Sequence, residues 1–345
     1  MKLLILCGVW DEKNEQEVLD GARRAVEFSA NLMQKKLIDA FTCVTDNVKV
    51  LSAPFLGAYP TASSIRVFRA FSQETDYCTY VPFINLWGVR NFSRARALKR
   101  AMRDFLADPD PDKRILCYCP HTPFLKAAAA AKKQDPSIFT YLYVPDLPQY
   151  MNLSSRVSFI YKAAKFFDIR SMTRAMKYTD SFVLLTEQMK DKLPVGDKPY
   201  LVCEGLVTES ALTEAETRTA VQSTTRDIVY TGKLDERFGL RILADAMKYI
   251  PDKDCRLILC GTGDALPYMN ACAKQDPRIL VLGQVTPKEA RAWQQRAAVL
   301  VNPRSSTEEY TKYSFPSKNL EYLLCGAPVV AHKLAGMGEI YRSLL

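Results

Sequence analysis

Short apolar runs alternate with helical stretches along nearly the whole chain. In the second half the runs RDIVYTG, CRLILCG, RILVLGQV, AAVLVNP and GAPVVAH each precede a helical segment. In the first half KLLILCG, DAFTCVT, RILCYCP, FTYLYVP and DSFVLLT do the same, with longer and less regular connections. Parallel sheets with crossover helices produce this alternation. The sequence therefore predicts an α/β fold made of two Rossmann-like domains.

The predicted boundary between the two domains lies near Glu204. Residues 208–226 are polar, rich in threonine and free of large apolar clusters, which is typical of a linker. We therefore expect an N-terminal domain over residues 1–203 and a C-terminal domain over residues 204–345.

A predicted helix after Ser93 combines a packing side with a cationic side. With Ser93 as the N-cap, apolar residues recur at helical spacing at Ala95, Leu98, Met102 and Phe105. The other side of this helix is basic and carries Arg96, Lys99, Arg100 and Arg103. The pattern predicts an exposed basic face in the N-terminal half.

Positive charge is concentrated in that half. The chain has 345 residues, 48% hydrophobic and 25% charged, which is typical of a globular protein with core enough for about two domains. Its net charge is +9, and residues 1–203 hold 29 lysines and arginines against 21 acidic residues. Such an excess favours an anionic partner, either a membrane surface or a phosphorylated acceptor. Nucleic acid is not expected, because no known binding module is present.

The N-terminus and the cysteines both favour a cytoplasmic protein. The start MKLLILCGVWDEKNEQEV has one lysine and a short apolar run followed by acidic residues, which fits a buried strand better than a signal peptide. The ten cysteines form no pairs with metal or redox spacing, so we expect them to be reduced core residues.

One basic segment also suits a membrane surface. SFIYKAAKFFDIRSMTRAMKYTD mixes aromatic and aliphatic residues with five lysines and arginines, a composition that fits the headgroup layer of an anionic membrane. A core helix with a solvated basic side explains the same pattern. Peripheral association with the inner face of the membrane is therefore one of two interpretations.

Two motifs of the C-terminal half place glycines and cations after predicted strands. In YTGKLDERFG, Gly232 ends a strand, and Lys233 and Arg237 lie four positions apart, so both cations can converge on one diphosphate. Solvated side chains after a strand are the alternative interpretation. In LILCGTGDALPYM, Gly261 and Gly263 follow the next strand. The third glycine of a dinucleotide fingerprint is missing, so the sequence does not favour NAD.

A third motif, NPRSSTEEYTKYSFPSKNLEYLLCGAPVV, leads from a strand through a polar loop into a helix. The helix begins near Ser317 and Lys318, and its positive end would face the carboxyl edge of the sheet, where phosphate binds readily. Glu321, on the first turns, can accept hydrogen bonds from two ribose hydroxyls. A solvent-facing glutamate that favours the helix N-terminus is the alternative interpretation.

Taken in order along the chain, these motifs resemble a known family. Strand–Gly–Lys, Gly-x-Gly, Leu-Gly-x-Val, Asn-Pro, Phe-Pro-Ser-Lys-x-x-Glu-Tyr, Gly-x-Pro-Val-Val and Gly-x-x-Glu-Ile make residues 227–340 similar to the donor half of family-4 retaining glycosyltransferases of the Phe-Pro-Ser-Lys subgroup. The resemblance implies a GT-B fold, with two Rossmann-like domains facing each other across a cleft. It implies that residues 1–203 offer the acceptor and that residues 204–345 bind the nucleotide sugar. It also implies sugar transfer from a UDP- or GDP-sugar to a glycan or lipid-diphosphate-linked acceptor, in surface polysaccharide or glycoconjugate synthesis.

The resemblance further implies roles for single residues. Lys233 and Arg237 would neutralise the donor diphosphate, and Glu321 would hold the ribose. The base would lie against the turn that Gly283 opens, and neither a cofactor nor a metal is expected. The residues that complete the implied donor site are Gly232, Gly261, Gly263, Gln284, Val285, Ser317 and Lys318.

Departures from the family pattern affect the donor sugar. Tyr313 stands where many family members have a glutamate that contacts this sugar. We therefore expect the contacts with the sugar to come from Glu308, Glu309 or Tyr310 of the same loop. Arg304 and Tyr313 are also assigned to the donor site.

The acceptor half departs from the pattern as well. The family often has His-Asp after a central strand, and here TYLYVPDLPQY keeps Asp146 but has Pro145 at the histidine position. Asp146 is a candidate to orient or deprotonate the acceptor hydroxyl, and a structural turn is the alternative. His121, at the end of another strand, is a candidate replacement for the missing histidine. The chain ends soon after GMGEI, so we expect the bracing C-terminal helices of the family to be short or missing.

Three hypotheses follow. The leading one is a metal-independent retaining glycosyltransferase. The second is a catalytically weak GT-B protein that binds nucleotide sugars or acts as a scaffold. The third is a nucleotide-sugar epimerase, which would use a richer set of acid and base residues.

Overall fold

The computed structural model describes residues 1–24, 26–150, 159–216, 226–342 and 344. It divides into two compact units, Met1–Leu206 and Val207–Leu345. Residues 217–225 of the predicted linker, and Ser158 at the start of the predicted membrane-binding segment, lie outside the described residues. Among the described helices, none has the length and apolar character needed to cross a membrane.

The first unit is built on parallel strands. Its strands are β1 Lys2–Cys7, β2 Val48–Ser52, β3 Val67–Phe68, β4 Thr79–Tyr80, β5 Phe83–Ile84, β6 Lys113–Tyr118, β7 Phe139–Val144, β8 Ser181–Leu184 and β9 Tyr200–Val202. Seven of them form one sheet in the order β4-β2-β1-β6-β7-β8-β9, and β3 and β5 form a separate antiparallel pair. Strand order reverses between β1 and β6, which creates a topological switch point in this unit.

Helices of this unit follow β1, β5, β6 and β7. The helices of the first unit are α1 Glu15–Gly21, α2 Phe28–Thr42, α3 Arg90–Ala101, α4 Arg103–Ala107, α5 Thr122–Gln134 and α6 Phe159–Met176. On β1, Leu3, Ile5 and Cys7 pack with Leu37 and Ile38 of α2. The alternate residues of β1 are also buried, so β1 is an internal strand covered on both faces, which explains its unbroken apolar run.

The second unit contains a five-stranded parallel sheet. Its strands are β10 Asp227–Thr231, β11 Arg256–Cys260, β12 Ile279–Gly283, β13 Val299–Asn302 and β14 Val329–Ala331, in the order β12-β11-β10-β13-β14. Its helices are α7 Glu209–Glu216, α8 Leu240–Ala246, α9 Leu266–Gln275, α10 Pro287–Gln295, α11 Ser317–Leu323 and α12 Glu339–Arg342. The order is that of the first five strands of a Rossmann fold, with the switch point between β10 and β13.

Every predicted strand except DAFTCVT is a strand in the structure. DAFTCVT was wrong because its first four residues complete α2, and the strand comes later, at Val48–Ser52. Gln34, Leu37 and Ile38 are buried and Phe41 packs against the core, which is the spacing of a helix rather than of a strand.

The predicted N-cap at Ser93 was also wrong. Helix α3 already begins at Arg90, and the Ser93 hydroxyl accepts a hydrogen bond from the Ile84 N–H of β5 at 2.9 Å. The division of this helix into two sides is confirmed. The predicted apolar residues Ala95 and Leu98 of α3 are buried, as are Met102, which directly follows α3, and Phe105 of α4. The four predicted basic residues are exposed.

Candidate functional site

The switch point of the second unit brings two of the predicted motifs together. Gly232 directly follows β10, and Pro303 and Arg304 directly follow β13. Because both strands are parallel neighbours, these residues share the carboxyl edge of the sheet. In open α/β sheets this edge, at the switch point, is where ligands usually bind.

Glycines allow the loops at this edge to pack without side chains between them. A Cβ atom on Gly261 would lie 1.8 Å from the carbonyl oxygen of Gly232, and one on Gly263 would lie 2.2 Å from that of Leu234. The Gly261 N–H also donates to the Gly283 carbonyl at 2.7 Å. The Gly-x-Gly motif is therefore needed for the packing of one loop on another, whatever it does toward a ligand.

One buried carboxylate holds both predicted cations. Asp235 is 2% exposed, and Arg237 donates to its two oxygens from Nε and Nη2 at 2.8 and 2.6 Å. Lys233 Nζ lies 3.6 Å from the same carboxylate. The guanidinium of Arg237 holds the pKa of Asp235 at about 2, so Asp235 is charged at neutral pH. The side chains of Lys233 and Arg237 stay 65% and 47% exposed, which leaves both cations open to a ligand.

Helix α11 contributes a second ion pair beside Gly232. Lys318 Nζ lies 2.6 Å from Glu321 Oε2, and both side chains are partly exposed. A Cβ atom added to Gly232 would lie 3.5 Å from Lys318 Cε, so the lysine stem covers the glycine. Ser317, the first residue of α11, is exposed. Lys318 and Glu321 therefore lie beside the loop that carries Lys233, at the switch point.

A buried hydrogen-bond network fixes α11 to the end of β10. The hydroxyl of Tyr322 accepts from the Thr231 N–H at 3.0 Å and lies 3.3 Å from the Thr231 carbonyl. Gln294 of α10 donates to the Thr231 hydroxyl at 2.6 Å. Burial raises the pKa of Tyr322 to about 12. The network ties the backbone directly before Gly232 and Lys233 to two helices.

Arg304 lies between two aromatic rings after β13. Its guanidinium carbon is 5.3 Å from the ring centre of Phe238 and 5.0 Å from that of Tyr310, and its Nη2 donates to the Ser314 hydroxyl at 2.9 Å. In the described part of the chain, Arg304 Nε and the Tyr310 hydroxyl are buried without a hydrogen-bond partner. Both groups therefore keep hydrogen-bonding capacity next to the switch point.

The remaining predicted donor-site residues lie along the same loop or sheet edge. Glu308 and Glu309 are exposed, whereas the Tyr313 ring is buried at the end of a 3₁₀ segment, Glu309–Tyr313. Gly283 ends β12 with a φ of +70°, in the left-handed region that favours glycine. Val285, two residues later, packs against the core.

His121 and Asp146, the two candidates of the acceptor half, lie in the first unit. His121 follows β6, and its ring packs edge-on against Phe55 and Phe124 at centroid distances of 5.4 and 4.6 Å. Burial, and then the charges of Arg94 and Arg90, hold the pKa of His121 well below its usual range, so the imidazole is neutral at neutral pH. Asp146 follows β7 and is exposed.

Sequence reasoning missed three residues that shape these sites. Asp235 lies within the charged run KLDER, and no sequence pattern indicates that it is buried. Tyr322 belongs to the Glu-Tyr pair of the third motif. It lies three residues before the buried Cys325, and this helical spacing was the available sign of burial. Arg94 of α3 is 1% exposed, four residues before the buried Leu98 and therefore on the same helix face.

The comparisons with known proteins agree with the fold and with the second unit. Residues 225–343 match the family model Glycosyl transferases group 1. This match covers about a third of the chain. The comparison with curated proteins returned no relative.

Solved structures match over nearly the whole chain at low sequence identity. Sucrose-phosphate synthase from Thermosynechococcus elongatus is 16% identical with a TM-score of 0.56, covering 97% of this chain and 82% of that one. The lipopolysaccharide outer core galactosyltransferase WaaB is 11% identical with a TM-score of 0.57, covering 99% and 83%. Anabaena Alr3699/HepE, solved with UDP and glucose, is 13% identical with a TM-score of 0.53, covering 97% and 82%.

These similarities confirm the predicted fold class. The chain has two Rossmann-like α/β units with parallel sheets and the fold of two-domain GT-B proteins. Together with the match over residues 225–343, the fold supports a GT-B glycosyltransferase.

Proposed function

We propose that this protein is a retaining glycosyltransferase that moves a sugar from a UDP- or GDP-sugar to a glycan or lipid-linked acceptor. The second unit binds the donor and the first unit offers the acceptor. The observation that carries the proposal is the convergence of Lys233, Arg237, Lys318 and Glu321 at one switch point of the sheet.

The chemistry of the reaction explains why cations are needed there. Breaking the anomeric bond releases a nucleoside diphosphate, and negative charge grows on its phosphates in the transition state. Positive groups fixed in advance stabilise that charge more than they stabilise the ground state. Lys233, Arg237 and Lys318 supply this charge from side chains, so the proposed reaction needs no metal ion.

The ion pairs of the unliganded site fit this role. Arg237 is bound by Asp235 and Lys318 by Glu321, so both cations are already oriented at the strand end. A diphosphate would take hydrogen bonds from their exposed sides. Release of Lys318 would free the Glu321 carboxylate to accept hydrogen bonds from ribose hydroxyls.

The named neighbours support the substrate class. WaaB is described as a lipopolysaccharide outer core galactosyltransferase, and HepE was solved with UDP and glucose. By analogy we assign this chain to surface polysaccharide or glycoconjugate synthesis, with UDP as the first nucleotide to test.

A membrane-facing role is favoured by one observation on α6. Phe166 and Phe167 are 61% and 67% exposed, and their rings pack edge-on at 5.7 Å. Lys162 and Arg170 are exposed on the same helix. Exposed aromatic rings among cations suit the interface of an anionic membrane, and a lipid-linked acceptor would be presented there. We therefore include peripheral binding at the cytoplasmic face in the proposal.

A panel of UDP- and GDP-sugars tests the donor assignment. We expect one nucleotide series to raise the thermal midpoint of the chain, and product analysis with that donor to show transfer with retained anomeric configuration. Nucleotide binding without transfer or donor hydrolysis would favour the scaffold hypothesis. Interconversion of the sugar nucleotide without an acceptor would favour the epimerase hypothesis.

Vesicle flotation tests the membrane assignment separately. The chain should float with vesicles that contain phosphatidylglycerol and should not float with neutral ones. A variant with Phe166→Ser and Phe167→Ser should lose this binding, whereas Phe139→Ser, at another partly exposed phenylalanine of the first unit, should keep it. Equal flotation with both kinds of vesicle would contradict the assignment.

A further inference from the structure

The first unit buries an arginine that has no acidic partner among the described residues. Arg94 is 1% exposed, its Nη2 donates to the Pro54 carbonyl at 2.7 Å, and its guanidinium carbon lies 4.2 Å from the ring centre of Phe83. Its Nε is buried without a hydrogen-bond partner in the described part of the chain. No carboxylate among the described residues lies within ion-pair distance of it. A buried charge without compensation costs free energy, so its presence points to an anion that is bound during function.

Two further buried groups, which have no hydrogen-bond partner among the described residues, lie at the switch point of the same unit. Helix α5 begins at Thr122, directly after the loop that leaves β6, so its positive end faces the carboxyl edge of the sheet. Thr122 is 3% exposed, and its hydroxyl oxygen is buried without a partner among the described residues. The same holds for Nδ1 of His121. Helix α5, which has 13 residues, therefore begins at buried polar groups that make no hydrogen bond to the described residues.

The segment that follows β2 connects these groups in space. Arg94 donates to the carbonyl of Pro54, the His121 ring contacts Phe55, and Arg90 Nη1 lies 3.4 Å from the Leu56 carbonyl. The Phe55 N–H donates to the carbonyl of Gly8, at the end of β1. Arg90, Arg94 and the start of α5 therefore surround three consecutive residues at the β1 and β6 strand ends.

Arg90 gives this cluster a side that solvent can reach. It lies one helical turn before Arg94 on α3 and is only half-buried. The carboxylate that acts on it is Asp168 of α6, which accepts from Asn91 Nδ2 at 3.4 Å. Burial lowers the pKa of Arg94 to about 9, so its guanidinium is charged at neutral pH. The cluster carries more positive than negative charge.

We propose that this cluster binds a phosphate group of the acceptor, with Arg90, Arg94 and Thr122 at the start of α5 as its ligands. The identity of the bound molecule as the acceptor rests on the proposed function. A phosphate offers several acceptor oxygens to the free Arg94 Nε, the Thr122 hydroxyl and the Arg90 guanidinium. The acceptor is therefore a phosphorylated sugar or a diphosphate-linked sugar rather than a neutral glycan.

Titration calorimetry with inorganic phosphate tests the site in the full chain. The measurements use the Lys233→Ala background, which weakens competing binding in the second unit. Arg90→Gln should weaken phosphate binding by about tenfold or more, and Thr122→Val by about tenfold, as expected for hydrogen bonds to a charged group. Arg96→Gln is the control, because Arg96 is an exposed arginine of the same helix and its replacement removes the same charge.

Competition experiments identify the form of the acceptor. A soluble hexose monophosphate and a polyprenyl diphosphate sugar in detergent micelles are each used to displace phosphate. Displacement by either one supports the proposal, and the tighter ligand is the form of acceptor that the site binds. Displacement by neither would overturn the acceptor assignment.

The outcomes separate this inference from the proposed function. UDP binding to the wild-type chain is measured in parallel. If UDP binds but phosphate does not, or if Arg90→Gln behaves as Arg96→Gln does, this inference is overturned and the donor assignment remains. If phosphate binds as expected but no nucleotide does, the phosphate site remains and the proposed function fails.

Discussion

The switch points of the two sheets differ in the exposure and pairing of their positive side chains. In the second unit, Lys233 and Arg237 are largely exposed and share the buried carboxylate of Asp235. In the first unit, Arg94 is buried and has no carboxylate partner in the described part of the chain. An exposed cation that is paired with a carboxylate can easily exchange this partner for a ligand. This property suits a donor diphosphate, which would bind and leave in each turnover. An uncompensated, buried cation selects strongly for an anion over a neutral ligand.

The largest expected effect is on the exposed cations. Lys233→Ala should lower kcat/KM by about 10² to 10³ fold, because it removes a fixed positive charge from the leaving diphosphate. Lys248→Ala is the matched control, since Lys248 is an exposed lysine of the same unit in an ion pair with Asp245. Steady-state kinetics on both variants make the comparison. Equal kinetics for the two variants would remove the central assignment of the second unit.

Asp235→Asn should remove the carboxylate that neutralises Arg237 and Lys233 in the second unit. Loss of the carboxylate frees Arg237 and Lys233 and should lower the free energy of unfolding at pH 7 by about 2 kcal/mol. The folded-state pKa of Asp235 is lowered to about 2, so this stability is present above about pH 4 and is lost as the pH falls through about 2. Urea unfolding between pH 2 and pH 7 should therefore show a weaker acid dependence in the variant than in the wild type.

Asp245→Asn provides the control for that measurement. Asp245 forms an exposed ion pair with Lys248, and such pairs contribute little to stability. A loss of stability as large as that of Asp235→Asn would show that burial of Asp235 is not the cause.

Tyr322→Phe should disturb the backbone that positions the donor site, without changing the charge of the site. Removal of one hydroxyl leaves the Thr231 N–H without its partner and should cost about 1 to 2 kcal/mol of unfolding free energy. Donor KM should rise because the backbone before Lys233 loses its support. Tyr249→Phe, at an 86% exposed tyrosine, should change neither quantity. An unchanged KM in Tyr322→Phe would mean that the network stabilises the fold alone.

The smallest expected change in stability comes from Arg94→Met. Removing an uncompensated buried charge should leave the free energy of unfolding within about 1 kcal/mol of the wild-type value, or raise it, while phosphate binding is lost. Chemical denaturation and calorimetry on the same preparation measure both. A loss of stability of about 3 kcal/mol or more would assign Arg94 to the core instead of to a ligand.

Most of the fold was predictable because internal parallel strands leave continuous apolar runs. KLLILCG and RDIVYTG were recognised for this reason, and β1 and β10 are central strands of their sheets. DAFTCVT misled because a short apolar run at the end of a helix looks the same in sequence. Only the spacing back to Leu37 and Gln34 separates the two cases.

The positions of the cations in the candidate site could be predicted from the sequence, but the side chains that bind them could not. Glycine and lysine after a strand form a pattern that can be recognised in sequence, so the position of Gly232 and Lys233 after β10 was predicted. The burial of Asp235 depends on loops that meet only in the folded unit. The burial of Arg94 was not recognised because its basic neighbours on α3 are exposed. Its spacing from Leu98 placed it on the packing face.

The contact between Gly261 and Gly232 limits how this protein can be engineered for new donors. Any side chain at position 261 would push on the preceding loop and shift the lysine that follows it. Position 283 differs, since among the described residues no atom beyond its chain neighbours lies within 4 Å of its missing Cβ. Variant libraries should therefore keep residue 261 fixed and introduce diversity around position 283, starting with asparagine, which tolerates that backbone conformation.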